Sequence, residues 1–244
     1  SRDRQLRALQ RRDRPGRVEA GGAAAGGVYT FKGIPYAAPP VGVLRWMPPR
    51  PPSVWNGVRP AKEYGAIAPQ NLMPARGGFG TDFSSQPQDE DCLFLNIWTP
   101  GVDDARRPVM FWIHGGAFII GSGTERFLEG GKLARRGDVV IVSVNYRLGA
   151  LGFMNLKEIT SGKIPSTGNE GLLDQIAAME WVRDNIANFG GDPARLLSPT
   201  QDNRLSVFDA RVSPGLRFTD GKAPHAYVYE WTRPNQTVSW QDVQ

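Results

Sequence analysis

A chain of 244 residues, 40% hydrophobic and 22% charged, has room for one α/β domain or two small ones and the ordinary composition of a globular protein. Its net charge of +5 is local, because seven arginines (Arg2, Arg4, Arg7, Arg11, Arg12, Arg14 and Arg17) face only Asp3 and Asp13, and the neutral remainder argues against a nucleic-acid partner. No uninterrupted apolar run is long enough for a membrane span, and the single cysteine, Cys92, excludes an internal disulfide.

Residues 1–27 read as a basic, Gly/Ala-rich arm with little capacity to pack. Arg11 and Arg12 are not followed by an apolar stretch, so neither a signal peptide nor a twin-arginine signal is expected. Residues 28–60 are dense in proline and aromatics, which predicts an extended segment lying over the surface, pinned by Phe31, Tyr36 and Trp46. Residues 65–90 read as a loop around Gly77, Gly78 and Gly80. The run L-F-L-N-I-W predicts a strand over 93–98, ended by Pro100 and Gly101.

Next comes P-V-M-F-W-I-H-G-G-A-F-I-I-G-S-G over 108–123. Five consecutive apolar residues suit a strand buried on both faces of a parallel sheet. Gly115 and Gly116 then let the backbone turn with its N–H groups unshielded by side chains, and donors held that way stabilise the oxyanion of an acyl-transfer transition state. A short helix over 128–136 and a buried strand over 139–144 follow, an order that points to a parallel α/β sheet. Leu172, Leu173, Ile176, Ala177, Met179, Val182 and Ile186 keep helical spacing and predict a helix over 170–189, stopped by Gly190, Gly191 and Pro193.

Several blocks together resemble the type-B carboxylesterases, the family of para-nitrobenzyl-type esterases and cholinesterases. They are F-K-G-I-P-Y-A-A-P-P-V-G-V-L-R-W (31–46), E-D-C-L-F-L-N-I-W-T-P (90–100), the 108–123 block, V-S-V-N-Y-R-L-G-A-L-G-F (142–153) and G-N-E-G-L-L-D-Q-I-A-A-M-E-W-V-R-D-N-I-A-N-F-G-G-D-P (168–193). They stand in the family's order and spacing, and the resemblance covers residues 28–193. It implies an α/β-hydrolase fold, here incomplete, with the N-terminal strands and helices of a mixed, mostly parallel sheet. By resemblance Gly115 and Gly116 supply oxyanion-hole N–H groups and Ala117 shapes the loop, while the His114 ring braces that loop and is not the catalytic histidine. Arg45 with Glu90, and Arg147 with Asp192, resemble the family's structural ion pairs.

The nucleophile turn G-x-S-x-G occurs nowhere in the 244 residues. Counting from Pro193, the nucleophile position falls at Asp202 within T-Q-D-N-R, whose Thr200 and Arg204 side chains occupy space that the strained turn leaves to glycine. Pro199 falls in the expected central strand, Ser198 has no elbow around it, and His225 reads as a strand residue. The expected organisation is an arm over 1–27, hydrolase residues over 28–195, and an atypical tail over 196–244 that includes a displaced C-terminal strand at 224–231. The implied function is hydrolysis of a small-molecule carboxylic ester, inactive or severely impaired in this chain; a non-catalytic binding or interaction module is the alternative. No cofactor, metal or nucleic acid is implied, and oligomeric state is left open.

Overall fold

The computed structural model describes residues 27–71, 86–125 and 129–199, together with a few short strands outside them. Those strands are β1 (Arg7–Leu9), β2 (Arg17–Ala20), β3 (Ala23–Ala24), β10 (Leu205–Phe208), β11 (Tyr227–Val228) and β12 (Gln241–Asp242). Between them run β4 (Val28–Pro35), β5 (Val58–Ala61), β6 (Phe94–Thr99), β7 (Arg107–Ile113), α1 (Gly131–Gly137), β8 (Val140–Val144), α2 (Gly149–Phe153), α3 (Glu170–Asn185) and β9 (Gly191–Pro199).

The main sheet has seven strands in the order β10-β9-β7-β8-β6-β4-β3. Its centre is parallel, since β7 runs parallel to both β8 and β9, and the β7–α1–β8 crossover is the unit read from the sequence. The flanking pairs β8–β6, β6–β4, β4–β3 and β9–β10 are antiparallel. Core strands are apolar where both faces are covered: every residue of Val140–Val144 is buried. On one face α3 lays Ala178, Trp181 and Val182 into a cluster with Phe31, Val109 and Phe111. On the other, Ala134 of α1 packs with Val28, Trp98 and Ile141.

The expectation for residues 28–60 needs correcting at its start. Val28–Pro35 is not a surface segment but a strand inside the sheet, paired with both β3 and β6, with Phe31 and Ile34 fully buried. The reason is local. The first proline of that stretch is Pro35, so every earlier N–H is free to join the ladder. The prolines at 39, 40, 48, 49, 51 and 52 leave the chain beyond it without strand pairing until Val58.

The long helix also differs in detail. It ends as α-helix at Asn185, and Ile186–Phe189 tightens into a 3-10 turn closed by Gly190 in the left-handed region (φ 77°). Its fully buried stripe is Gly171, Asp174, Ala178, Trp181, Val182 and Asn185, whereas Leu172, Leu173 and Ile176 are half-buried. The N-terminus is held by the Glu170 carboxylate, which accepts the N–H groups of Thr167 (2.9 Å) and Gly168 (3.1 Å) and the Ser166 hydroxyl (3.0 Å).

Three short strands fall in the region read as an arm: β1 and β2 join β5 in a small three-stranded sheet, and β3 edges the main one. In the tail, β11 pairs with β12 in a ladder separate from the main sheet. Asp202, His225 and the Ser198 side chain lie outside the described residues. Among the described residues no helix is long and apolar enough to cross a membrane.

Candidate active site

Strand β7 carries its last residue, Ile113, to the carboxyl edge of the parallel centre, the edge at which open α/β sheets present their sites. The chain then makes a tight reversal. Gly116 (φ 113°), Ala117 (φ 52°) and Phe118 (φ 62°) follow one another at positive φ, and Gly121 (φ 116°) closes the turn. A Cβ at Gly116 would overlap the Ile120 carbonyl, and one at Gly121 would overlap the Gly115 carbonyl and the His114 ring. Glycine is therefore required at both points for close approach as well as for conformation.

Several carbonyls of this turn are engaged within the protein. His114 O accepts the Tyr146 hydroxyl (2.9 Å), and Gly116 O accepts the N–H groups of Ile119 and Ile120 (3.0 and 3.1 Å). Phe118 O accepts Gly149 N–H at the start of α2 (2.8 Å). The N–H groups of Gly115, Gly116 and Ala117 have no acceptor among the described residues, and Gly115 and Gly116 are only half-buried while Ala117 is exposed.

His114 is buried, and its ring stacks on Tyr146 with centroids 4.4 Å apart. Its Nδ1 lies 2.8 Å from Gly115 O, so Nδ1 carries the proton and donates. Burial drives its pKa down to about 4, which keeps the ring neutral near pH 7. A buried ring committed to its neighbour's carbonyl and to a stacking partner braces the turn. Burial likewise pushes the Tyr146 phenol up to about 12, so it remains a hydroxyl donor.

Beyond the turn, buried polar side chains fix its exit. Gly123 N–H donates to Asn145 Oδ1 (2.7 Å), and Gly123 O accepts the Ser143 hydroxyl (2.6 Å). Asn96 Nδ2 donates to Ser143 Oγ (3.1 Å), and Asn96 Oδ1 accepts Gly33 N–H (3.0 Å). Gln70 grips Gly121 from the other side: its Oε1 accepts Gly121 N–H (2.8 Å) and its Nε2 donates to Gly121 O (3.0 Å). Of these partners only Asn96, Ser143, Asn145 and Tyr146 lie in the blocks quoted from the sequence. Gln70 stands in a segment read as loop, where a lone polar side chain carries no pattern.

The two ion pairs fare differently. Arg45 and Glu90 form a two-point pair, with Nε and Nη2 each 2.6 Å from a carboxylate oxygen. Arg147 does not meet Asp192. Its Nε and Nη2 bind Asp174 at 2.8 and 2.7 Å, its backbone N–H adds a third bond at 3.1 Å, and Nη1 donates to Met47 O (2.8 Å). Asp192 instead accepts Arg106 Nη2 (3.3 Å) and Ala194 N–H (3.0 Å). The strands explain this. Asp192 sits where β9 begins beside Arg107, at the amino edge, whereas Arg147 follows the carboxyl end of β8. Five strand residues at about 3.3 Å each separate the two edges.

Among the described residues no three His, Cys, Asp or Glu side chains group as metal ligands. Cys92 is fully buried, and burial pushes its thiol well above the ordinary range, which makes it inert.

Comparison with known proteins joins these observations. The profile of the Carboxylesterase family matches residues 15–197. The phenmedipham hydrolase of Pseudarthrobacter oxydans is 46% identical over a match covering 73% of this chain and 34% of that protein. The para-nitrobenzyl esterase of Bacillus subtilis is also 46% identical, over 70% of this chain and 34% of that protein. The chain thus spans about a third of the length of these curated relatives. The crystal structure of a Geobacillus stearothermophilus carboxylesterase superimposes with a TM-score of 0.68 at 43% identity, covering 79% of this chain and 37% of that one. With the sheet order, the His-Gly-Gly turn and this likeness agreeing, the chain belongs to the type-B carboxylesterase family and has the α/β-hydrolase fold over the part of that family it spans.

Proposed function

We propose that this chain carries the oxyanion half of a carboxylic-ester hydrolase site of the serine type. The observation that supports it is the row of N–H groups at Gly115, Gly116 and Ala117, without acceptors among the described residues, at the carboxyl end of β7. Two or three such donors stabilise the tetrahedral oxyanion formed when a nucleophile attacks an ester carbonyl. His114 holds the turn and takes no part in proton transfer. The substrate class is a small-molecule carboxylic ester, and no cofactor is called for.

The 244 residues contain no G-x-S-x-G turn, and the family's nucleophile position falls on Asp202. We therefore propose that this chain alone is inactive or severely impaired as an esterase, because an oxyanion hole without nucleophile and base gives only residual catalysis. The absent turn also supports a second reading, a non-catalytic binding or interaction module.

An assay of the purified chain with p-nitrophenyl acetate and butyrate tests the proposal. Release of p-nitrophenolate close to the buffer rate is expected. Saturable turnover abolished by Ser198→Ala, Asp202→Ala or His225→Ala would overturn the inactivity and identify the missing group.

A further inference from the structure

We infer that Gln70 is a positioning residue for the 114–121 turn, acting through Gly121 on the direction of the Gly115–Ala117 N–H groups. The inference rests on the oxyanion reading for its meaning, but not for its test.

Gln70 is half-buried, and all three hydrogen bonds of its carboxamide end on backbone: Gly121 N–H, Gly121 O and Ala68 O. A primary amide can satisfy both the N–H and the C=O of a single residue, because it offers an acceptor and two donors in one plane. Its target, Gly121, approaches the Gly115 carbonyl and the His114 ring too closely to admit a Cβ, which couples the position of Gly121 to that of Gly115.

Gln70 is itself anchored. Its backbone N–H donates to Gln88 Oε1 (2.7 Å), beside a short ladder in which Ile67 N–H donates to Pro87 O (2.9 Å) and Asp89 N–H to Ile67 O (3.1 Å). The next residue, Glu90, is clamped by Arg45, and four residues later the chain becomes β6 at Phe94. The Arg45–Glu90 pair, remote in sequence from the turn, thereby secures the ladder from which Gln70 reaches it. The carboxamide closes a turn whose other pins are Tyr146 on His114 O, Gly149 on Phe118 O and Asn145 on Gly123 N. Without it the exit of the turn is held by the longer bond from Ser122 N–H to Glu125 Oε1 (3.4 Å) and then by Gly123 N–H on Asn145.

Site-resolved amide exchange and amide chemical shifts of the 244-residue chain test this. Gln70→Met keeps the volume and removes both bonds to Gly121; Gln70→Glu keeps an acceptor for Gly121 N–H and removes the donor to its carbonyl. In Gln70→Met, exchange at Ile119, Ile120 and Gly121 is expected to rise by about tenfold, with shift changes at Gly115, Gly116 and Ala117 and no change along β8. In Gln70→Glu, Gly121 N–H is expected to keep its protection. Unchanged protection and shifts in Gln70→Met would overturn the inference, as would loosening spread equally over β8 in both variants. Neither readout involves an ester, so failure of the clamp and failure of the oxyanion reading are separately visible.

Discussion

Arg147 and Asp174 face each other through two parallel guanidinium–carboxylate bonds at 2.8 and 2.7 Å, with 3% and 0% of their side chains exposed. Such a pair is costly to assemble and more costly to break singly, because the survivor is a buried charge without a counterion. Asp174→Asn is expected to destabilise the chain by about 3–5 kcal/mol, read from the denaturant midpoint. Replacing both residues by apolar ones of similar volume should cost less than that single change. Glu90→Gln, at the exposed Arg45 pair, should cost less still and lose its effect in high salt.

His114 gives a pH dependence whose sign is fixed. Burial holds its folded pKa at about 4, below the ordinary histidine value of 6.5. Between those values the unfolded chain binds a proton that the folded chain refuses, so stability rises with pH across the window and is lost as pH falls through it. The full contribution is about 3 kcal/mol. Comparing the wild type with His114→Gln in urea at several pH values removes the shared carboxylate titrations, and the difference should grow from pH 4 to pH 7.

Glycine substitutions separate crowding from conformation. Gly149 (φ 52°) has open space around its missing Cβ, so Gly149→Ala should cost only the left-handed penalty of about 1 kcal/mol. Gly116→Ala adds an overlap with the Ile120 carbonyl and should cost about 3 kcal/mol or more, or rebuild the turn. Parallel melts of the two variants give the comparison.

Asn145 tests the polar interior. Asn145→Leu leaves Gly123 N–H, now paired at 2.7 Å, buried without an acceptor and should cost about 2–3 kcal/mol. Asn145→Asp keeps the acceptor for Gly123 N–H but sets a buried carboxylate against Ala66 O in place of the Nδ2 donor (3.2 Å), so its loss in the urea midpoint is expected to shrink as pH falls and the carboxyl is protonated.

Much of the scaffold was legible in the residues themselves. Apolar runs placed β6, β7 and β8, and the His-Gly-Gly step placed the turn, because a two-sided buried strand and a bare-backbone loop each leave a local signature. What escaped depended on contacts distant in sequence. The proline density after residue 35 masked the strand before it. Arg147 has several carboxylates at plausible separations, and only the direction of the parallel strands decides that Asp174, on the buried stripe of α3, is its partner. Helical spacing of the apolar residues revealed α3 but not its buried face: Leu172, Leu173 and Ile176 are half-buried, and the buried stripe passes through Asp174.

The arithmetic of donors and acceptors in the His114–Gly121 turn has an electrostatic outcome. The carbonyls of His114, Gly116 and Phe118 accept from Tyr146, from the turn's own amides and from Gly149, while the Gly115, Gly116 and Ala117 amides have no acceptor among the described residues. On the oxyanion reading the positive character proposed for this turn comes from backbone amides, and its one imidazole is neutral. An oxyanion held there would be stabilised by fixed peptide dipoles, set when the chain folds and unaltered by titration of His114 across the neutral range.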